Sequence, residues 1–213
     1  MQGLIIELPP LQQKESGGSR ILFGPPPKTK DDFKHLIQTR GVICIVNLCP
    51  FTNERSKGGI EKAERYMEWC NVDLDHPENS LDVTLVRVHL DVASFEPKGR
   101  NKELKKESWG QFYASHVRSV EKETQKMQGN IYIHHNTGIL EEVYVAVGLW
   151  KLRRKNDLVG GKKFDFFEWT REHNYEWLFD EDVDKKELLG FVLAEIDKEH
   201  RRTSFFKKVK KDE

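Results

Sequence analysis

Two continuous apolar runs dominate the pattern of hydrophobic and polar positions along the chain. Residues 42–49 read VICIVNLC and residues 131–135 read IYIHH, and a glycine closely precedes each run. Short apolar runs rich in β-branched residues are typical of strands that are buried on both faces of a sheet. Residues 21–23 and 85–90 predict two further strands. The sequence therefore predicts a sheet whose central strands are fully covered.

Segments with helical periodicity separate the predicted strands. Thr29, followed by Asp32, predicts an N-terminal cap, and Gly41 predicts the end of that helix. Ser108 begins a second capping motif, which follows a charged, insertion-like stretch over residues 96–108. The apolar positions that share faces of these two helices and of the helix between them are Phe33, Leu36, Ile37, Ile60, Ala63, Met67, Cys70, Trp109, Phe112, Tyr113, Val117, Val120 and Met127.

A further helix is predicted to begin at Glu141, and its apolar residues lie nearly all round it, so we expect it to be central and buried. Because strands alternate with helices, the sequence predicts an α/β fold with a central, mostly parallel sheet flanked by helices, and extra helices at the C-terminal end. Beyond Asn156 the pattern is helical and aromatic. We expect some of these aromatic residues to pack under the sheet domain and the surplus to form an exposed patch that marks an interface. They are Phe164, Phe166, Phe167, Trp169, Tyr175, Trp177 and Phe179.

Charge and composition narrow the classes of function. The chain has 35 Lys and Arg residues and 35 Asp and Glu residues, so the net charge is zero, which disfavours a nucleic-acid partner. The three cysteines, Cys44, Cys49 and Cys70, fit neither a disulfide framework nor a CxxC metal spacing. The N-terminal segment lacks the features of a signal peptide, and no apolar stretch is long enough to cross a membrane. These features predict a cytoplasmic protein, and KKVKK at residues 207–211 would also fit a nuclear one.

The run IYIHH leads through a glycine-containing loop into the helix that begins near Glu141. A strand, a tight loop and a helix N-terminus together bind anions in many proteins, because backbone N–H groups and the helix dipole point into the loop. Here two acids, Glu141 and Glu142, stand at the start of the helix. We expect one of them to close this anion cradle and to accept hydrogen bonds from the N–H groups of the loop.

The same loop resembles the signature of the cysteine-dependent protein phosphatases, especially the dual-specificity group. That signature is His-Cys-x-x-Gly-x-x-Arg, usually followed by Ser or Thr. His134 stands at the position of the leading His and Gly138 at that of the Gly. His135 replaces the Cys, Glu141 replaces the Arg, and Glu142 replaces the Ser or Thr.

Other segments extend this resemblance over residues 20–155. ILFGPPP and VICIVNLC resemble the first strands of the family, and VHLDVASFEP resembles the strand that leads to the general-acid loop, with Asp91 at the position of the acid. The spacing from Asp91 to His135 is longer than is usual in the family, because the charged stretch 96–108 lies between them.

The resemblance implies a phosphatase-like domain over residues 20–200, whose helical, aromatic-rich extension covers 157–200. It leaves residues 1–19 as an N-terminal arm laid over the domain and residues 201–213 as a frayed basic tail.

The substitutions in the loop imply a degenerate active site. In the family a thiolate attacks phosphorus, an Arg holds two phosphoryl oxygens, and an Asp protonates the leaving oxygen. No cysteine follows Cys70 in this chain, and Glu141 would repel a phosphate. We therefore predict a pseudophosphatase that serves as a protein-binding or scaffold module, with no catalytic residue, cofactor or metal. The degenerate loop comprises His134, His135, Asn136, Thr137, Gly138, Ile139, Leu140, Glu141 and Glu142, and Asp91 is the former acid position.

Three other interpretations remain open at this point. The loop could be an ordinary strand–helix turn, with His134 as a structural histidine and Asp91 as a turn residue. The protein could be an enzyme with a rebuilt site, in which His135 acts as base or nucleophile together with Asp91 and Glu141 or Glu142. A metal ion could be held by His89, Glu141 and one histidine of the loop, but these residues do not have the sequence spacing of a known metal motif such as HExxH. The identity of a protein partner and the oligomeric state do not follow from the sequence.

Overall fold

The computed structural model describes residues 5–11, 19–49, 66, 69, 81–135, 140–154, 158–159, 162–179 and 183–209. Within these residues, one five-stranded sheet has the order β1-β2-β5-β3-β4, and a separate hairpin joins β6 to β7. The strands are β1 (Ile6–Glu7), β2 (Ile21–Phe23), β3 (Val42–Asn47), β4 (Thr84–Arg87), β5 (Asn130–His134), β6 (Leu158–Val159) and β7 (Lys162–Lys163).

The pairing of the strands confirms the predicted α/β class. β2, β5, β3 and β4 run parallel to one another, and β1 is antiparallel to β2. The helices are α1 (Lys30–Lys34, continued by a π-helical turn over His35–Thr39), α2 (Lys102–Thr124), α3 (Leu140–Arg153), α4 (Phe166–Glu172) and α5 (Val183–Val209). No helix in the described part of the chain is both long enough and apolar enough to cross a membrane.

Helices cover both faces of the sheet. One face packs against α2, α3 and α5 in the larger apolar core, which includes Ile131 and Ile133 of β5. The other face contributes Tyr132 to a smaller core with Phe33 and Leu36 of the α1 region. Because successive residues of a strand point to opposite faces, the run IYIHH contributes to both cores, as predicted for a fully buried strand.

The first predicted helix has the predicted ends. Thr29 and Asp32 form a complete capping box, and Gly41 has a φ of 61°, a left-handed conformation that glycine adopts without strain. The next predicted helix contains Ile60, Ala63, Met67 and Cys70, all outside the described residues. Tyr66 and Trp69, which lie between them, are helical.

The start of α2 corrects the sequence analysis. The helix begins at Lys102, where the Asn101 side chain accepts a hydrogen bond from the Leu104 N–H at 2.8 Å. Ser108 lies inside the helix, and its hydroxyl oxygen accepts from the Lys98 N–H at 3.0 Å. Half of the charged stretch is thus helical, because an asparagine cap precedes residues with good helix propensity.

The helix α3 is central and buried, as predicted. It contacts α2, α5, β2 and β5. Gly148 allows α2 to approach closely, since a Cβ atom added there would lie 2.6 Å from Cγ2 of Val117. This close approach is one of the contacts that position α3.

The aromatic C-terminal region is packed partly into the core, as predicted for some of its residues. Phe166, Trp169 and Phe179 are buried, and Trp177 is the large apolar residue of this group that is exposed, at 38%. These aromatic side chains belong to the larger core together with residues of α3 and α5, and the ring of Phe164 packs against that of Trp150. The half-buried members of the group are Phe164, Phe167 and Tyr175. Burial is thus confirmed for some of these residues, as predicted, and an interaction surface at the others stays a prediction. Helix α5 continues to Val209, into the segment that was expected to be a frayed tail.

Candidate functional site

The carboxyl ends of β5, β3 and β4 form one edge of the sheet, and this edge holds the candidate site. The Leu48 N–H donates to the His134 carbonyl oxygen at 3.0 Å, and the Leu90 N–H donates to the Leu48 carbonyl oxygen at 3.3 Å. His135 and Asp91 each follow this row by one residue. Because neighbouring strands lie about 4.8 Å apart, the backbones of these two residues are about 10 Å apart. The structure thus brings the two positions to the same edge, on either side of β3.

The two histidines at the end of β5 occupy different environments. His134 is completely buried, and its ring lies edge-on to that of Tyr66, with 5.6 Å between the ring centroids. The His135 side chain is 3% exposed, and its Nδ1 atom lies 3.9 Å from Oε2 of Glu141. The geometry therefore pairs His135 with the first acid of α3, and it supports the structural interpretation of His134.

The two adjacent glutamates of α3 also differ in their exposure to solvent. The side chain of Glu141 is 22% exposed, whereas Glu142 is completely buried. Burial raises the pKa of the Glu142 carboxyl group to about 9, and the charge of Glu141 contributes to the increase. Neither side-chain oxygen of Glu142 has a hydrogen-bond partner. Glu142 is thus turned inward. Closure of the loop by Glu141 or Glu142 stays a prediction, because the N–H groups of residues 136–139 lie outside the described residues.

The centre of the predicted loop lies outside the described residues. Asn136, Thr137, Gly138 and Ile139 belong to that segment, and the description resumes with Leu140 as the first residue of α3. The roles predicted for these residues stay predictions.

Asp91 forms a local turn. Its carboxylate oxygens accept hydrogen bonds from the Ser94 hydroxyl at 2.6 Å and from the Ser94 N–H at 3.2 Å. The hydrogen bond from the Ser94 hydroxyl is the main reason that the pKa of Asp91 lies below its usual range. A carboxyl group that is ionised at neutral pH has no proton to donate, so this geometry favours Asp91 as a turn residue.

An aromatic cluster fixes the segment after Asp91 to α2. The ring of Phe95 lies 4.5 Å from that of Trp109 and 4.2 Å from that of Phe112, measured between centroids. His116 of α2 also contacts the strand side of this segment, with its Nε2 atom 3.0 Å from the His89 carbonyl oxygen. These contacts hold the Asp91 turn beside α2.

Asn47 is a buried polar residue at this edge that the sequence analysis missed. It is 3% exposed, and its Oδ1 atom accepts from the Cys49 N–H at 2.9 Å, while its Nδ2 atom has no partner. It pairs in register with His134 across β3 and β5. The available signal was a single amide in an otherwise apolar strand, at the end where sites in parallel sheets form.

Of the cysteines, Cys49 lies at this edge, because it follows Leu48 by one residue, and Cys44 lies further back along the strand. Cys44 lies within β3, and burial raises the pKa of its thiol to about 12. Cys49 is also buried, and Cys70 lies outside the described residues. Among the described residues, no three His, Cys, Asp or Glu side chains are grouped as ligands of one metal ion.

Comparison with known proteins shows a distant likeness to solved structures. No protein-family model matches the chain, and no curated protein sequence matches it. Among solved structures, the chain is similar to one from Leishmania major that is described provisionally as a protein tyrosine phosphatase. The identity is 14% and the TM-score 0.39, with 91% of this chain and 98% of that chain covered. A likeness at this TM-score does not decide the family of the chain.

Proposed function

We propose that this protein is a catalytically inactive, dual-specificity-phosphatase-like module that binds another protein. The observation that carries the proposal is the acidic start of α3. Glu141 stands where the resembling family has its phosphate-binding Arg, and its carboxylate lies 3.9 Å from the ring of His135, at the position of the catalytic Cys.

The absence of a reactive thiol at position 135 supports the loss of activity. Nucleophilic cysteines are thiolates of low pKa beside positive charge or a helix N-terminus. Cys44 has the opposite property, because burial raises its pKa to about 12. A thiol in the middle of β3 is therefore inert, and imidazole at position 135 differs from a thiol in both shape and reach.

The charge of Glu141 opposes phosphate binding. One carboxylate about 4 Å from a unit of phosphate charge costs roughly 4 kcal/mol at an effective dielectric constant near 20. A phosphate dianion would meet about twice that repulsion and would also lose the two hydrogen bonds of an Arg. An anion cradle with this residue at its mouth favours ligands that are not phosphate.

Catalytic inactivity is tested with purified protein and two kinds of substrate, an aryl phosphate and phosphopeptides. We expect hydrolysis at background level for the wild type and for His135→Ala alike. Turnover that survives purification and disappears in His135→Ala would contradict inactivity.

Anion exclusion is tested by following thermal stability during titration with sulfate, phosphate or tungstate. We expect no stabilisation of the wild type and clear stabilisation of Glu141→Arg. Glu103→Arg is the matched control, because Glu103 is an exposed acid in the first turn of α2 and the change in charge is the same. Strong anion binding by the wild type would mean that the cradle is open.

An enzyme with a rebuilt site is the second candidate, and the contact between His135 and Glu141 favours it. A carboxylate near Nδ1 can orient an imidazole so that Nε2 acts as a base or nucleophile. Asp91 does not fit the acid role, because its hydrogen bonds with Ser94 lower its pKa. A Glu141→Gln variant discriminates the candidates, since it would reduce the turnover of a rebuilt site, whereas hydrolysis by an inactive module would stay at background level in the wild type and the variant alike.

A further inference from the structure

Glu142 is enclosed in the protein without a hydrogen-bond partner. Its exposure is 0%, and both Oε1 and Oε2 lack a partner. An ionised carboxylate in such a place would cost far more free energy than a neutral acid, because the charged form loses its hydration without compensation. Groups in this position become neutral instead of remaining charged.

The charged groups around Glu142 also oppose its ionisation. On α3 itself, Glu141 is the neighbouring charge, and it repels a second carboxylate. On β5, Tyr132 is close enough for the charge of Glu142 to raise the pKa of its phenol. The phenol O–H donates to the Pro25 carbonyl oxygen at 2.6 Å and so is committed elsewhere. His134 lies on the same face of β5, two residues further along.

The other elements that pack against α3 bring further groups. β2 contributes three apolar residues and no titratable group. On α2, Tyr113 lies near Glu141. Burial raises the pKa of the Tyr113 phenol, and the charge of Glu141 raises it further. On α5, Lys185 meets α3 through its carbonyl oxygen, which accepts from the Tyr144 hydroxyl at 3.4 Å. Burial is the main influence on Glu142 and raises its pKa. The backbone N–H of Glu142 itself lowers the pKa, but by less than burial raises it, and the charge that acts on the group comes from another acid.

We propose that Glu142 carries a proton in the folded protein at neutral pH, so that formation of the first turn of α3 is linked to proton uptake. The proposal rests on complete burial and unpaired oxygens, and it holds whether or not the loop is catalytically inactive.

The linkage has a definite sign. The ordinary pKa of Glu142 is 4.5 and its folded-state pKa is about 9, so the folded protein binds this proton more tightly than the unfolded chain. Below the lower value both states are protonated, and the contribution of Glu142 to stability is greatest. Between the two values the contribution falls as pH rises, by about tenfold in the unfolding equilibrium constant per pH unit. Above about 9 the loss is complete.

The test measures urea unfolding of the full chain from about pH 5 to about pH 8.5, a range within the linkage window. Glu142→Gln keeps the shape of the side chain and removes its titratable carboxyl group. Glu141→Gln is the matched control one residue away. Relative to Glu142→Gln, we expect the unfolding equilibrium constant of the wild type to rise about tenfold per pH unit, with Glu141→Gln following the wild type. Parallel pH profiles of the wild type and Glu142→Gln would overturn the proposal.

A second measurement covers the case in which Glu142→Gln does not fold. Carboxyl-labelled glutamate in the wild-type protein is titrated by carbon NMR. We expect one carboxyl carbon to change its shift far above the pH at which the others do, and an infrared band of protonated carboxylic acid to persist at neutral pH. If every glutamate titrates near its ordinary value, Glu142 does not hold the proton.

Discussion

Two residues near opposite ends of α3, Trp150 and Glu142, are both buried, and burial has different energetic effects at the two positions. Near the C-terminal end, Trp150 is 2% exposed, its Nε1–H donates to the Pro9 carbonyl oxygen at 2.7 Å, and its ring lies 4.2 Å from that of Phe164. At the N-terminal end, Glu142 is 0% exposed and has no hydrogen bond. Burial of Trp150 stabilises the folded protein, whereas burial of Glu142 costs free energy. Exposure alone therefore does not indicate which residues hold this fold together.

The largest effect is expected at the apolar end. Trp150→Ala removes a large buried ring and the hydrogen bond to Pro9, so we expect it to reduce the free energy of unfolding by about 3–5 kcal/mol. Trp177→Ala is the control, since Trp177 is 38% exposed, and its effect should stay within about 0.5 kcal/mol. Urea unfolding at neutral pH measures both, and equal effects would remove the basis of the comparison.

The polar end should respond with the opposite sign. Glu142→Leu replaces an unpaired buried acid by an apolar side chain with good helix propensity, so we expect the free energy of unfolding at pH 7 to increase by about 1–3 kcal/mol. Glu141→Leu, its neighbour, should slightly destabilise the protein, because it removes a favourable charge from a helix N-terminus. Denaturation of both variants at one pH gives the comparison. Strong destabilisation by Glu142→Leu would mean that the acid is satisfied in the folded protein.

Close packing in the middle of α3 is expected to tolerate little change. A Cβ at Gly148 would lie 2.6 Å from Cγ2 of the buried Val117, whereas a Cβ at Gly190 on α5 would meet nothing within 4 Å. We expect Gly148→Ala to destabilise by about 1–3 kcal/mol through overpacking. Gly190→Ala should stabilise by up to about 1 kcal/mol through helix propensity. Thermal melts of the two variants distinguish the effect of packing from that of helix propensity. Stabilisation by both substitutions would show that α2 shifts at little cost to make room for the added methyl group.

The smallest effect is expected at the surface, between α2 and α5. Lys106 forms ion pairs with Asp184, at 2.8 Å, and with Glu187. Hydrogen bonds from Lys106 and Lys102 lower the pKa of Asp184 from 3.8 to about 2, so any contribution is present above pH 3.8 and is lost as the pH falls towards 2. We expect Lys106→Met to change the melting temperature least of these variants, with the difference vanishing in high salt. A large, salt-independent loss would contradict this.

The sequence was informative wherever one local signal acted alone. The apolar runs located β3 and β5, and the Thr29 box and Gly41 located both ends of the first helical segment. Where two signals competed, the prediction failed, because the Ser108 motif obscured the cap at Asn101 and the helix formers after it.

The contrast between Glu141 and Glu142 could not be predicted, for a physical reason. Adjacent helical residues differ by about 100° in direction, so only the phase of the helix decides which acid faces inward. α3 is apolar nearly all round, so its sequence does not indicate which side of the helix faces the core at a given position. The sequence predicted that some of the C-terminal aromatic residues are buried, but it did not show which ones, because other helices of the larger core contribute the residues that pack with them.

The short strand β1 has a consequence for how the protein can be shortened. Its pairing with β2, continued by the hydrogen bond from the Leu8 N–H to the Ile21 carbonyl oxygen at 3.0 Å, covers one edge of the sheet. Ile6, Leu8 and Leu11 are buried there. A recombinant chain that started at residue 20 would present the bare backbone of β2 to other molecules, and uncovered edges of this kind recruit strands from neighbouring chains and aggregate. Expression vectors should therefore retain residues 5–11, although the motif-bearing part of the sequence begins only after them.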